Sequence, residues 1–125
     1  MSDKSLIEKL GFEPGDTVYV ETTPDWYTIL CDEEGVELTP GLPATHTHLF
    51  CSTRNELAAF LKHNSLDDIE KMLWVSWPKK SSGIKADINE QLLRDLILPF
   101  GWVDVKVAAI DDTWSGLKFL RRKTD

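Results

Sequence analysis

The chain has 125 residues, of which 42% are hydrophobic and 28% charged, a composition typical of one soluble globular domain and far from that of the disordered and membrane classes. Its formal charge of −7 disfavours nucleic acid as a partner, because nucleic-acid binding depends on Lys and Arg side chains that neutralise phosphates. The sequence contains neither an apolar run long enough for a membrane span nor the apolar core of a signal peptide, so we expect a cytoplasmic protein without a membrane partner.

The N-terminal half of the sequence alternates helical and strand patterns. In chain order these patterns predict a helix over residues 5–10, a strand over 17–21, a helix over 24–31, a short strand over 36–38 and a strand over 46–51. Thr23 is the predicted N-cap of the second helix, with Pro24 in the first helical position. That helix is expected to turn Trp26, Ile29 and Leu30 inward.

The C-terminal half continues the alternation. It predicts a helix over residues 57–63, a strand over 73–77, a helix that ends before residue 99, a strand over 102–110 and a strand over 115–122. Thr53 and Glu56 have the spacing of a capping box, and Asp87 and Glu90 repeat that spacing before the last helix. The strand over 73–77 is apolar throughout, which predicts a central position with both faces covered.

This order of elements predicts a doubly wound α/β fold, with the whole chain forming a single domain over residues 1–125. We expect a mostly parallel, Rossmann-like sheet that ends in an antiparallel C-terminal β-hairpin. In the first strand of the hairpin, Val103, Val105 and Val107 are expected to share one face, because side chains two residues apart on a strand point the same way.

Two blocks of the sequence carry a resemblance to a known family. They are Leu73-Trp74-Val75-Ser76-Trp77-Pro78-Lys79-Lys80-Ser81-Ser82-Gly83, and Val103-Asp104-Val105-Lys106-Val107 together with Asp111-Asp112-Thr113-Trp114-Ser115-Gly116-Leu117-Lys118. The chain resembles a family of small bacterial proteins of unknown function built on the plan of S-adenosylmethionine-dependent methyltransferases. The resemblance implies a reduced methyltransferase-like scaffold, one βα unit short, and it implies no established activity.

The turn after the first predicted strand departs from the methyltransferase pattern. Methyltransferases follow that strand with a glycine-rich turn, since only glycine lets the backbone approach the cofactor closely in the required conformation. This chain has Glu21-Thr22-Thr23-Pro24-Asp25-Trp26 there, without a glycine. We therefore expect no cofactor.

Four loops are expected to meet at the carboxyl edge of the sheet, over residues 22–25, 51–54, 78–83 and 111–114. The third of these loops supplies cations, hydroxyls and a flexible backbone, which are the ingredients of an anion cradle, although it lacks the spacing of a P-loop. The candidate residues for binding a ligand or a partner are Thr22, Thr23, Lys79, Lys80, Ser81, Ser82, Gly83, Asp111, Asp112, Thr113 and Trp114.

Each candidate also has a structural interpretation. Asp111 and Asp112 fit a metal site or proton transfer, but adjacent aspartates at a hairpin tip also fit hydrogen bonds to nearby turn amides. Trp114 fits stacking on a ligand ring or packing on the core. The loop lysines fit ligand contact or ordinary solvated charge, and the basic tail over residues 121–123 is interpreted as solubilising charge.

The histidines and cysteines were also considered as ligands. His46 and His48 lie two apart on a predicted strand, which puts them on the same face with a spacing that can seat zinc. No third ligand is evident, so no metal site is predicted. Cys31 and Cys51 form neither a CxxC pair nor a disulfide framework, and we expect both to be structural.

These observations predict a non-catalytic binding or regulatory module that contacts a small anionic ligand or a protein partner at the carboxyl edge of the sheet. The alternative is an enzyme with an unfamiliar site, in which Asp111 or Asp112 acts as acid or base beside Ser81 and Lys79. A homodimer formed through exposed hydrophobic residues is a third alternative.

Overall fold

A computed structural model describes residues 5–21 and 23–122 of the chain. In chain order its elements are α1 (Leu6–Leu10), β1 (Thr17–Glu21), α2 (Asp25–Glu33), β2 (Glu37–Thr39), β3 (Ala44–Phe50), α3 (Arg54–His63), β4 (Ile69–Pro78), α4 (Glu90–Ile97), β5 (Trp102–Ala109) and β6 (Trp114–Arg121). Short 3₁₀ turns cover Leu66–Asp68, Lys80–Ser82 and Leu98–Phe100. No helix in this described part of the chain combines the length and apolar character of a membrane span.

The strands form one mixed sheet in the order β2-β1-β3-β4-β6-β5. β1 pairs in parallel with β2 and β3, and β3 pairs in parallel with β4. β6 then inserts antiparallel to β4 and pairs with β5 as a hairpin. The predicted doubly wound α/β sheet with a C-terminal antiparallel hairpin is confirmed.

The helices cover both faces of the sheet. On one face, α1 and α2 pack with Val18, Phe50 and Trp74 into one apolar cluster. On the other face, α3 and α4 pack with Leu73 and Phe119 into a second, larger cluster. β3 and the second half of β4 are buried on both faces, which explains why their sequences show no clear alternation.

The crossover from β2 to β3 contains no helix. Residues 40–43 alone connect these two strands, which lie on opposite sides of β1. The other parallel crossovers, from β1 to β2 and from β3 to β4, each carry a helix. The chain therefore has a short irregular connection at this point and a reduced version of the methyltransferase plan.

The predicted inward face of α2 is wrong at Ile29, whereas Trp26 and Leu30 are partly buried and pack against the core as expected. Tyr27 and Cys31 are fully buried, whereas Ile29 is 58% exposed. Residues four apart lie on one side of a helix, and the residue midway between them lies on the other, so burial of Tyr27 and Cys31 turns Ile29 outward.

The predicted N-cap of α2 is also wrong. Pro24 is the N-cap, with extended backbone and no side-chain cap bond, and the helix begins at Asp25.

The prediction that Val103, Val105 and Val107 share one face of their strand is wrong. The pairing of β5 with β6 shifts between Asp104 and Lys106, so Val103 pairs with Leu120 while Val107 pairs with Leu117. Because Leu117 and Leu120 lie on opposite faces of β6, the bulge puts Val103 and Val107 on opposite faces as well.

The N-cap of α4 also differs from the prediction. Asn89 occupies this position, and its side chain accepts a hydrogen bond from the Leu92 amide at 2.9 Å. Asp87, the predicted cap, lies two residues before it and bonds elsewhere. By contrast, the capping box of Thr53 and Glu56 on α3 is confirmed.

Arg121, the first residue of the basic tail, bonds the turn that precedes β4. Its Nη2 donates to the carbonyl oxygens of Leu66 at 3.0 Å and Asp67 at 2.7 Å, and its Nε donates to that of Ile69 at 3.0 Å. The guanidinium also lies 5.1 Å from the ring centroid of Trp102. The interpretation of residue 121 as solvated charge is therefore wrong, while Lys123 lies outside the described residues.

Replacing Arg121 with alanine is expected to lower the free energy of unfolding by about 1–2 kcal/mol, because the turn before β4 loses the donors that satisfy its carbonyl groups. Urea unfolding followed by tryptophan fluorescence measures this change. Arg122→Ala is the matched control, since that side chain is exposed and the neighbouring backbone is unchanged. Equal losses in the two variants would contradict the assigned role.

Candidate functional site

The loops after β4 and before β6 meet at the carboxyl edge of the sheet. Pro78 pairs with Trp114 across the two strands, and the Lys79 amide donates to the Thr113 carbonyl oxygen at 2.7 Å. The two predicted loops therefore lie side by side on one rim. Thr23, at the end of β1, is two strand positions away, since β3 lies between β1 and β4. Thr22 falls outside the described residues.

Residues 79–85, which we call the lysine loop, are held in shape by their own hydrogen bonds. The Ser82 hydroxyl donates to the Lys79 carbonyl oxygen at 2.6 Å and accepts from the Ile84 amide at 3.2 Å. Gly83 closes the turn with a φ of 78°, a conformation that favours glycine. Ser82 is thus used by the loop itself, while Lys80, Ser81 and Lys85 are exposed.

The two aspartates of the hairpin tip, Asp111 and Asp112, have different surroundings. Asp111 Oδ1 accepts hydrogen bonds from the amides of Thr113 at 2.8 Å and Trp114 at 2.7 Å, which is the turn chemistry considered for this pair. Asp112 is exposed to solvent. Trp114 is partly buried and packs edge-on against Phe50, with ring centroids 5.1 Å apart, so its indole supports the core.

The N-terminus of α3 also lies on this edge, and the chain's own carboxylates occupy it. Glu56 Oε1 accepts from the amides of Ser52 at 3.3 Å and Thr53 at 3.2 Å, and Asp87 Oδ1 accepts from the Arg54 amide. Helix N-terminal amides commonly bind anions, and here the carboxylates of Glu56 and Asp87 occupy that position. The sequence indicated Glu56 through its capping box, but it gave no signal for the contact of Asp87.

A small cavity of about 270 Å³ opens beside this helix end, lined by Thr53, Lys85, Ala86 and Asp87. It carries one cation and one carboxylate, and that carboxylate already bonds the Arg54 amide. The structure therefore places Lys85 at the site, a residue outside the predicted set. A signal for it was present in the sequence, because residues 79, 80 and 85 are all lysines.

The turn between β1 and α2 does not fit a cofactor held by a glycine-rich loop. Pro24 has no amide hydrogen, and Asp25 puts a carboxylate in the first turn of α2. Among the described residues, glycines with positive φ occur at positions 11, 15, 35, 83 and 101, all of them outside this turn.

The two histidines of β3 have separate partners. His46 Nε2 lies 2.7 Å from Asp16 Oδ2, and burial lowers its pKa, although Asp16 opposes that effect. His48 is bonded at both nitrogens, with Nδ1 at 2.8 Å from the Tyr27 hydroxyl and Nε2 at 2.6 Å from the Ser76 hydroxyl. Burial lowers the pKa of His48 to about 3, so its ring is neutral at pH 7.

Both cysteines are buried and free of disulfide bonds. Burial raises the pKa of Cys31 to about 11. Burial, followed by the nearby charges of Glu56 and Glu21, raises the pKa of Cys51 to about 12. Both thiols are therefore protonated at neutral pH and lack the reactivity of a thiolate. Within the described ranges, no group of three or more His, Cys, Asp or Glu side chains is placed to hold a metal ion.

A family model described as Domain of unknown function (DUF8412) matches residues 49–125, which is more than half of the chain. The chain belongs to this family. The matched segment contains the lysine loop, the Asp111 hairpin tip and the α3 N-terminus, so most of the candidate surface of this DUF8412 protein lies inside the family region. No curated protein matches the sequence.

Solved structures share the fold at low sequence identity. Magnesium protoporphyrin IX methyltransferase from Synechocystis PCC 6803, solved with bound SAM, aligns with a TM-score of 0.58 and 9% identity over 93% of this chain and 74% of its own. A protein of the NADB-Rossmann superfamily from Streptococcus agalactiae aligns with a TM-score of 0.53 and 9% identity over 100% of this chain and 71% of its own. These similarities establish a methyltransferase-like Rossmann fold.

Proposed function

We propose that this DUF8412 protein is a non-catalytic binding module whose lysine loop contacts the acidic surface of a protein partner. The observation that carries the proposal is the distribution of free and used polar groups at the carboxyl edge. Backbone amides suited to a small anion are bonded to the chain's own Glu56, Asp87 and Asp111. The lysine side chains project from the same edge without such partners.

Because these amides already bond the chain's own carboxylates, a small anionic ligand is disfavoured as the main partner. A phosphate or carboxylate is typically held by several convergent amides at a helix end or a turn. Here the α3 N-terminus and the hairpin tip offer amides that already have acceptors, and an entering anion would also meet the negative charges of Asp87 and Glu56. Binding would require the ligand to displace these internal bonds.

The lysine loop has the composition of a protein contact. Lys80 and Lys85 are exposed, Lys79 is partly exposed, and Ile84 between them is 46% exposed. No described residue forms an ion pair with any of the three lysines. An apolar side chain among cations suits an acidic protein surface, because charge complementarity guides association and the apolar group contributes buried area.

The enzyme alternative has less support from the arrangement of the hairpin tip. A general base needs a carboxylate free to accept the substrate's proton, and Asp111 Oδ1 already accepts two backbone hydrogen bonds. Asp112 is exposed to solvent and forms no ion pair with a described residue, so nothing positions its carboxylate against a substrate. Contact with a protein partner requires only exposed side chains, and the exposed Lys80 and Lys85 supply them.

Affinity capture with three forms of the full chain tests the proposal. These are the wild type, the lysine-loop variant Lys79→Ala/Lys80→Ala/Lys85→Ala, and a control with the same charge change, Lys9→Ala/Lys62→Ala/Lys106→Ala. We expect the loop variant to recover its acidic partner about tenfold less well, and the control to match the wild type. Equal recovery by the loop variant would overturn the proposal.

Melting curves with nucleotides, S-adenosylmethionine and phosphorylated metabolites test the competing ligand class. A ligand that binds only the folded state raises the melting temperature by mass action. We expect no increase with any of these compounds. An increase that disappears in the lysine-loop variant would replace the protein partner with a small anionic ligand at the same surface.

A further inference from the structure

β2 forms one edge of the sheet in the described part of the chain. The Glu37 amide donates to the Asp16 carbonyl oxygen at 3.0 Å, so the backbone groups of Glu37 point toward β1. Backbone groups of alternate residues on a strand point in opposite directions, and those of Leu38 therefore point away from the sheet. An extended segment from outside can pair with them.

A groove runs beside this edge, between α2 and β2. Its volume is about 340 Å³, and its lining residues are Thr28, Ile29, Asp32, Val36, Glu37 and Leu38. Ile29, which was predicted to face the core, is 58% exposed here. The groove thus combines an open strand edge with the exposed side chain of Ile29 and the half-buried side chain of Leu38. Strand-addition sites use an open edge for affinity and side-chain contacts for selectivity.

The charge around the groove has a single sign. No lysine or arginine occurs between Lys9 and Arg54, while that stretch contains the carboxylates of Glu13, Asp16, Glu21, Asp25, Asp32, Glu33, Glu34 and Glu37. With 14 cationic and 21 acidic side chains in the whole chain, this stretch carries all of the net negative charge. Asp32, Glu33, Glu34 and Glu37 form no ion pair with a described residue.

The opposite edge strand, β5, also exposes aliphatic side chains, those of Val105 and Val107, but it differs in pairing geometry and in charge. β5 has a bulge between Asp104 and Lys106, and its Asp104 carboxylate pairs with Arg94 at 2.9 Å. Bulges and mixed charges are common ways of preventing an edge strand from pairing with another chain. β2 is short, and its one charged residue, Glu37, is acidic, so this edge disfavours acidic strands and attracts basic ones.

We infer that the β2 edge and its groove bind an extended basic segment of a protein partner. The segment adds a strand beside Leu38, places an aliphatic side chain on Ile29 and Val36, and sets its lysines or arginines against Asp32 and Glu37. This surface lies at the other end of the sheet from the lysine loop, with β1 and β3 between β2 and β4. The inference therefore stands apart from the proposed function.

The test uses a synthetic ten-residue peptide of alternating lysine and valine, added to the full chain labelled with ¹⁵N. We expect amide shifts centred on Val36 and Leu38, and a dissociation constant about tenfold weaker for Asp32→Lys/Glu37→Lys. Asp68→Lys/Asp112→Lys makes the same charge change at exposed positions away from the groove, and it should bind within about threefold of the wild type.

A second peptide separates strand pairing from charge attraction. Methylation of its alternate backbone amides removes the donors while all lysines remain, and we expect about tenfold weaker binding than with the parent peptide. Equal losses in the two charge variants, shifts centred elsewhere, or no binding at millimolar peptide would overturn the inference. Concentration-dependent shifts at Leu38 without peptide, together with a dimer mass in light scattering, would assign the groove to a second copy instead.

Discussion

Acidification from pH 7 to pH 4 is expected to destabilise the fold by about 3 kcal/mol through His48 alone. Burial holds the pKa of this histidine at about 3, while in the unfolded chain it returns to its ordinary value of 6.5. Between these two values the unfolded state binds a proton that the folded state does not. Stability is therefore unaffected by His48 above pH 6.5 and falls by about 1.4 kcal/mol for each unit below it.

The surroundings of His48 explain why its ring stays neutral. Its two hydrogen-bond partners, the hydroxyls of Tyr27 and Ser76, carry no charge, and Phe50 stacks on the ring with centroids 4.3 Å apart. Among residues 5–21 and 23–122, no carboxylate bonds the imidazole to stabilise a positive charge. Burial also lowers the pKa of His46, so that histidine adds to the acid sensitivity in the same direction.

Urea unfolding at several pH values measures this effect as a slope of stability against pH. His48→Gln keeps a side chain able to donate and accept hydrogen bonds but cannot titrate, so the slope between pH 6.5 and 4 should flatten by about one proton. The variant's lower stability at pH 7 does not affect this readout. Ala59→Gln, at an exposed position on α3 that does not titrate, should keep the wild-type slope. An unchanged slope in His48→Gln would refute the prediction.

Replacing Gly116 with valine is expected to cost about 3 kcal/mol of stability, because the centre of the sheet has no room for a side chain there. A Cβ atom at this position would lie 3.0 Å from Ile110 Cδ1 and 3.1 Å from both Ser76 Oγ and Trp74 Cε3. Ser76 is the hydrogen-bond partner of His48, so the added atoms also disturb that buried contact.

Gly41→Val is the matched control for this substitution. Gly41 lies in the loop before β3, has nothing within 4 Å of a Cβ position and does not have a positive φ. We expect a change below about 0.5 kcal/mol for the control in the same unfolding measurement. A loss below about 1 kcal/mol for Gly116→Val would show that the neighbouring side chains move aside easily.

Much of the fold follows from local patterns in the sequence. Helix boundaries at Ser5 and Gly11, the capping box of Thr53 and Glu56, and the apolar strand before Pro78 are each decided by residues close together in the chain. The alternation of strands and helices then specifies a doubly wound sheet. These features were predictable because their physical causes act over a few residues.

The wrong predictions share a different kind of cause. The inward face of α2 is chosen by the bond of Tyr27 to His48, which lies 21 residues away. Asp87 reaches the Arg54 amide from 33 residues away, so it is lost as a helix cap. Hydrogen bonds between distant residues have no local signature, and they override weak local preferences.

The candidate surface was predictable only in part. Topology correctly put the lysine loop beside the Asp111 turn, because loops at the ends of neighbouring strands share one edge. Which polar groups stay available there depends on Asp87, Glu56 and Asp111, whose bonds appear only in three dimensions. The acidic stretch between Lys9 and Arg54 is visible in the sequence, but its significance emerges only once β2 lies at an edge.

The two-sided arrangement of helices has a consequence for motion within the folded state. α1 and α2 are joined to the sheet at two polar points, the Trp74 indole bond to the Leu10 carbonyl oxygen and the Tyr27 bond to His48. The ladders that join β3, β4, β6 and β5 do not depend on either helix. Opening of the α1 and α2 layer would break both polar bonds and expose the apolar cluster around Trp74 together, so we expect the amides of the two helices to exchange as one cooperative unit.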